Sequence, residues 1–121
     1  MGGSLPETIL TSEALETRLG LSPGWILRRT GIVRRHILDD GEPLLPLALA
    51  AGRQACEDGA AEPARVDALI VCSSCPETSL PPLASQLAAL LGCDPCLTFD
   101  LNASSASFLG ALAVAEGLLA A

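Results

Sequence analysis

The sequence predicts an α/β fold of mostly parallel strands with covering helices, and three observations carry that prediction. Strand-like and helix-like runs alternate through the second half: Ala68-Leu69-Ile70-Val71, residues 82–91, Thr98-Phe99-Asp100-Leu101, then an Ala/Leu-rich stretch to residue 121. The run Ala68-Leu69-Ile70-Val71 lacks apolar–polar alternation, the mark of a strand covered on both faces. The spacing of strand, helix, strand and helix suits parallel neighbours joined by right-handed crossovers. Half of the 121 residues are apolar, enough for one domain with a real core.

Taken in order, Thr11 or Ser12 caps a short helix ending at Leu19, with Glu13 and Glu16 in its favoured first turns. Ser22-Pro23 reads as a second start, cap then N1 proline, leading through Trp25 and Ile26 to Gly31. Residues 32–38 read as a short extended segment, and Asp39-Asp40-Gly41 as a turn. Residues 43–58 form a long helix stopped by Gly59, with Pro46 able to displace its true first turn. One more turn is expected over residues 61–65, then a strand over residues 67–73. A loop over residues 75–80 leads to a helix from Pro81 or Pro82 to Leu91, closed by Gly92. A strand over residues 96–101 precedes the last helix, which starts near Ser105 or Ala106.

Fourteen acids stand against seven bases, all Arg, for a net charge of −7, which disfavours nonspecific nucleic-acid binding. No run of apolar residues is long enough for a membrane span. The start shows neither a signal-peptide pattern nor, with Pro6 where Ser or Thr is needed, a myristoylation pattern. A cytoplasmic location is the expectation.

Five cysteines are present, four of them in two Cys-x-x-Cys pairs, Cys72/Cys75 and Cys93/Cys96, with seventeen residues between. The spacing matches a zinc-ribbon binding module. The context favours free thiols and no metal: Cys72 closes an apolar strand, and an amphipathic helix fills the interval. Structural disulfides do not fit a chain without an export signal.

Arg28, Arg29, Arg34 and Arg35 place four of the seven bases within eight residues, beside the only Trp, Trp25, and the only His, His36. Guanidinium groups bind phosphate bidentately and an indole stacks on a flat base, so the cluster suits an anionic small molecule. The alternative is a solvated face around a half-buried Trp. At the other end of the chain, small residues from Asn102 to Ser107 join the last strand to the last helix. Such a junction lets a ligand approach the backbone, with the helix's free N–H groups facing it. A hydroxyl there is either a nucleophile or a plain N-cap.

These residues carry a resemblance. Ser22-Pro23-Gly24-Trp25-Ile26-Leu27-Arg28-Arg29-Thr30-Gly31-Ile32, followed by Arg35-His36-Ile37, is similar to S-x-x-W-I-x-x-R-T-G-I-x-x-R-H-I of β-ketoacyl-acyl-carrier-protein synthase III. Asp100-Leu101-Asn102-Ala103-Ser104-Ser105-Ala106-Ser107-Phe108 resembles that family's D-V-N-A-A-C-S-G-F nucleophile motif. Leu5-Pro6-Glu7 and the strand over residues 67–71 also fall where the family has equivalents. The resemblance implies a thiolase-like fold, of which residues 1–121 form an incomplete N-terminal half, without the first strand and the C-terminal half. It implies an acyltransferase that moves an acyl group from acyl-CoA through an enzyme-bound intermediate, in fatty-acid or polyketide-type synthesis.

By the same resemblance, Ser105 falls on the acylated cysteine, and Trp25 and Arg29 fall on the positions that hold the adenine end of coenzyme A, with Thr30 beside them. Asn102 and Ser104 shape the turn, and His36 is structural. Acyl-CoA is then a substrate with no permanently bound cofactor, acyl carrier protein is a partner, and the full-length parent is a homodimer. Two departures matter. Serine replaces a cysteine whose thiol a helix N-terminus partly ionises, and serine needs an adjacent general base. The family's catalytic His and Asn belong to its second half, so the fragment alone is expected to be inactive and, with sheet edges and apolar faces uncovered, poorly soluble. The alternative is a noncatalytic thiolase-like partner subunit with a degenerate site.

Overall fold

The chain is described here from a computed structural model covering Met1–Ala121. It divides into two units, Leu5–Pro43 and Met1–Ser4 together with Leu44–Ala121, and each is taken by itself.

In the first unit, strand β1 (Ile9–Thr11) runs straight into helix α1 (Ser12–Leu19), as the cap signal predicts. Thr11 keeps an extended backbone while its Oγ1 accepts from the Ala14 N–H at 3.1 Å, and Gly20 closes the helix in the left-handed region. Helix α2 (Trp25–Thr30) follows, then strand β2 (Arg34–His36), which pairs antiparallel with β1 so that Leu10 faces Arg35. The start of α2 departs from expectation. Ser22-Pro23 forms a turn, with the Trp25 N–H donating to the Ser22 carbonyl, and the helix begins after Gly24. No residue next to this start supplies a cap. Both oxygens of Glu16 do so instead, accepting from the Gly24 and Ile26 N–H groups at 2.7 Å each.

In the second unit, helix α3 (Leu45–Asp58) carries Pro46 in its first turn, and a 3₁₀ turn (Pro63–Arg65) precedes strand β3 (Ala68–Cys72). Helix α4 (Leu83–Leu91) connects β3 to strand β4 (Leu97–Leu101), and a 3₁₀ turn (Ser104–Ala106) leads into helix α5 (Ser107–Ala120). Strands β3 and β4 pair in parallel from Ala68 opposite Leu97 to Cys72 opposite Leu101, the α/β arrangement that the sequence predicts. Helices α4 and α5 both pack on this sheet, and α3 packs on α4. Gly52 of α3 permits that approach, since a Cβ there would lie 3.1 Å from the Leu91 side chain.

The core of this unit is the stripe Leu83, Ala84, Leu87 and Ala88 of α4, joined by Cys93. The spacing i, i+1, i+4, i+5 puts these residues on one helical face. Strand β3 is less covered than its apolar run predicts: Ala68 to Val71 are half-buried and Cys72 is exposed. In a two-stranded sheet each strand keeps one open edge, so neither gains the cover of a central strand. On α5, Phe108, Leu109, Leu112 and Leu119 stand exposed, forming the uncovered apolar face that the sequence leads one to expect. No helix is long and apolar enough to cross a membrane.

The α4 stripe is held over the sheet by Asp100, whose carboxylate accepts from the Leu83 N–H at 2.9 Å and the Ala84 N–H at 2.8 Å. Replacing it, as Asp100→Ala, is expected to lower stability by about 1–2 kcal/mol, because two N–H groups of a helix start lose a charged acceptor. A reduced urea midpoint at an unchanged slope is the measurement that checks it. A second expectation concerns the exposed face of α5: Leu109→Glu with Leu112→Glu should reduce self-association in sedimentation and binding of an apolar fluorescent dye.

Candidate functional site

Within Leu5–Pro43, the aromatic–basic cluster is built on α2. Trp25 occupies the first position of the helix and Arg29 the position one turn later, so both project from one face. The Arg29 guanidinium carbon lies 4.5 Å from the centroid of the Trp25 ring, a cation–π stack, and Trp25 keeps 37% of its surface exposed. The pair presents an aromatic plane and a positive charge together, the combination that a nucleotide's base and phosphates require.

The other basic residues of the cluster divide between anchors and surface. The Arg28 Nη1 donates to the Pro23 carbonyl at 3.0 Å, and the Arg35 Nη2 to the Ser12 hydroxyl at 3.0 Å, so both reinforce the fold locally. Arg34 lies exposed on β2. The Thr30 hydroxyl donates to the Ile26 carbonyl at 2.8 Å and accepts from the Ile32 N–H at 3.1 Å, which ties off the end of α2. His36 has Nδ1 2.7 Å from the Pro6 carbonyl oxygen, a structural contact. Gly24 is required by its φ of +75°, a left-handed backbone that L side chains rarely adopt.

The junction in Leu44–Ala121 assigns its polar residues different tasks. The Asn102 Oδ1 accepts from the Ser104 N–H at 3.1 Å, the turn-shaping contact expected of these two residues. Ser104 has φ +51°, a left-handed backbone that L side chains adopt at a cost of about 1–2 kcal/mol. Ser105 follows, exposed, in the 3₁₀ turn, while α5 proper begins at Ser107, one or two residues beyond the expected start at Ser105 or Ala106. The sequence reading missed Ser107. Its buried hydroxyl accepts from the Ala103 N–H at 2.8 Å and donates to the Ser104 carbonyl at 2.7 Å, fixing the turn from beneath. The hydrogen bonds that shape this turn therefore run through the side chains of Asn102 and Ser107 and the backbone of Ser104, and leave the Ser104 and Ser105 side chains at the surface.

Glu16 and Asp100 were also not anticipated in their roles. A signal for Glu16 is present: α1 turns a polar pair inward at i and i+4, and Ser12 and Glu16 are only 5% and 4% exposed. The four paired cysteines form no metal cluster, since no group of three His, Cys, Asp or Glu side chains is placed to hold an ion. All five cysteines are free, Cys93 buried, Cys56 and Cys96 half-buried, Cys72 and Cys75 exposed. Burial pushes the Cys93 thiol above its ordinary range, with Cys96 and Cys56 adding to the shift. Burial also raises Cys96, with Asp67 beside it.

No family model matches the chain. It is 36% identical over 118 residues to the β-ketoacyl-[acyl-carrier-protein] synthase III of Erythrobacter litoralis (strain HTCC2594), covering 98% of this chain and 37% of that relative. Among solved structures, it superposes on the 3-oxoacyl-(acyl carrier protein) synthase III of Pseudomonas aeruginosa PAO1 with a TM-score of 0.87 and 36% identity, over 98% of this chain and 36% of that one. The priming β-ketosynthase of the R1128 polyketide biosynthetic pathway gives a TM-score of 0.87 at 32% identity, over 93% of this chain and 34% of that one. The chain thus spans little more than a third of the length of the curated relatives it matches.

The thiols differ enough in exposure and acidity to be told apart chemically. Cys72 and Cys75 are expected to alkylate first with iodoacetamide near pH 8. Cys93 should lag, its rate still rising at pH values above the ordinary thiol range, because only the thiolate reacts. Peptide mapping of the modified chain over time and pH checks the order.

Proposed function

The chain carries the N-terminal part of the thiolase-like β-ketoacyl-acyl-carrier-protein synthase III fold, and from that premise we propose that it belongs to an acyltransferase working on acyl-CoA. The observation that carries this reading is the exposed Ser105, set one residue after a strained left-handed turn between β4 and α5. Backbone strain kept beside an exposed hydroxyl is an arrangement met where a side chain is presented to a reactant. In the proposed step the Ser105 Oγ attacks the thioester carbonyl, the carbon–sulfur bond breaks, and coenzyme A leaves as the thiol with the serine's proton. The oxyester so formed passes its acyl group to a carrier-protein-bound acceptor, in fatty-acid or polyketide-type synthesis. Trp25 stacks on the adenine, Arg29 meets the phosphates, and Thr30 holds the end of the helix that bears them.

Serine needs a base, and the only imidazole of these 121 residues, His36, is bound to the Pro6 carbonyl oxygen. We therefore read the 121 residues by themselves as slow or inactive; a homodimeric, cytoplasmic parent is proposed separately, on the likeness to the synthase III relatives alone. The same observation favours a second reading, a noncatalytic thiolase-like subunit that pairs with an active partner.

Incubation of the full-length parent with acetyl-CoA is expected to leave acyl mass on the peptide containing Ser105. Ser105→Ala should abolish the adduct, and Ser105→Cys should speed its formation by roughly tenfold or more, since a thiol supplies some thiolate near neutrality where a hydroxyl needs a base. Trp25→Ala is expected to weaken coenzyme A binding about tenfold without unfolding the chain. An unacylated, folded parent whose partner keeps full activity with Ser105→Ala would favour the noncatalytic subunit.

A further inference from the structure

Helix α2 is too short to hold itself in place. Six residues give fewer than two turns, and isolated helices of that length do not persist in water. Its apolar anchoring is thin as well. Ile26 is the one buried residue of the helix, whereas Leu27 and the nearby Val33 are largely exposed. A cavity of about 320 Å³, lined by Ser12, Glu13, Glu16, Pro23, Gly24 and Leu27 among others, opens where a tightly packed helix would have its bed. What fixes the helix is polar. At its end, Gly31 and the Thr30 hydroxyl close the last turn. At its beginning, the Glu16 carboxylate, 4% exposed, takes two backbone N–H groups at 2.7 Å, one on each side of Trp25.

From this geometry we infer that Glu16 is a positioning residue for the nucleotide end of coenzyme A, clamping the backbone on both sides of Trp25 and so aiming the Trp25–Arg29 stack. The inference rests on the reading of Trp25 and Arg29 as nucleotide contacts. Glu16 itself touches no ligand. With the carboxylate replaced by an amide, only one of the Gly24 and Ile26 N–H groups keeps an acceptor and the other meets an NH2 donor, so the first turn loosens and Trp25, the first residue of that turn, loses its fixed direction. Arg29, one turn later on the same face, follows.

Trp25 is the only tryptophan, so its fluorescence reports this site alone. The experiment compares the full chain with Glu16→Gln, Glu16→Asp and the control Ser12→Ala, using coenzyme A as the titrated probe and acrylamide as the quencher. Glu16→Gln is expected to bind coenzyme A about tenfold more weakly and to expose Trp25 to quencher, with Glu16→Asp between it and the native chain. Ser12→Ala removes a buried hydroxyl from the same face of α1, and should lower the melting temperature while leaving affinity and quenching unchanged.

Native affinity and native quenching in Glu16→Gln would overturn the positioning role and leave the nucleotide reading standing. If the native chain itself does not bind coenzyme A, the nucleotide reading fails, and quenching alone then decides whether Glu16 orients Trp25. If circular dichroism shows Glu16→Gln to be unfolded, Glu16→Asp is scored by the same two readouts.

Discussion

The fold of this chain depends on carboxylates that accept hydrogen bonds from the free N–H groups at helix starts. Glu16 does this for α2, Asp100 for α4, and Glu77 for the start of α3, where the Leu44 N–H donates to its Oε1. Each helix start leaves donors with no partner inside the helix, and the positive end of the helix dipole favours a negative charge there. Chain segments 8, 17 and 33 residues apart are joined in this way by side chains that are short and charged. The acids so used come from a chain whose surplus of acids over bases is seven. Part of that surplus is internal scaffolding as much as surface charge.

In the unit built on the parallel strands, this constraint couples the candidate acyl site to the core. Asp100 lies near the end of β4, two residues before Asn102, and its carboxylate holds the first turn of α4. The helix that supplies the buried stripe is thus tied to the strand that delivers the junction. The junction is then set from two sides. Asn102 bends the backbone into the left-handed conformation at Ser104, and Ser107 secures the turn from its buried side. An exposed hydroxyl between such contacts has its backbone fixed while its side chain faces solvent.

The elements legible in the sequence were those whose cause is local. The apolar runs of β3 and β4, the Thr11 cap, the left-handed glycines that close α1 and α4, and the displacement of α3 by Pro46 all follow from neighbouring residues. The misplaced start of α2 has the opposite origin. Ser22-Pro23 carries a sound local signal for a cap, but a carboxylate eight to ten residues away satisfies the donors at Gly24 and Ile26 instead. The family resemblance singled out Trp25 and Arg29; the two stand four apart on a helix and share a face, and the stack follows from that geometry. The roles of Glu16, Asp100 and Ser107 depend on contacts across turns that spacing does not encode, and so only the folded chain assigns them.

Three serines within four positions illustrate why residue type alone does not assign a role. Ser104 bears the backbone strain, Ser107 is buried with its hydroxyl committed on both sides, and Ser105 is exposed. A buried hydroxyl that already donates and accepts is poorly placed to react, because acylation would remove the bond it donates to the Ser104 carbonyl and force a bulky group into the turn it secures. A residue in strained backbone serves by bending the chain. Ser104 and Ser105 both lie exposed, so burial sets aside Ser107 alone. Chemistry at a hydroxyl, unlike a thiol, moves the demand from the local dipole to a neighbouring base. A serine in the turn before α5 would therefore depend for any reactivity on a group brought against it rather than on the turn that presents it.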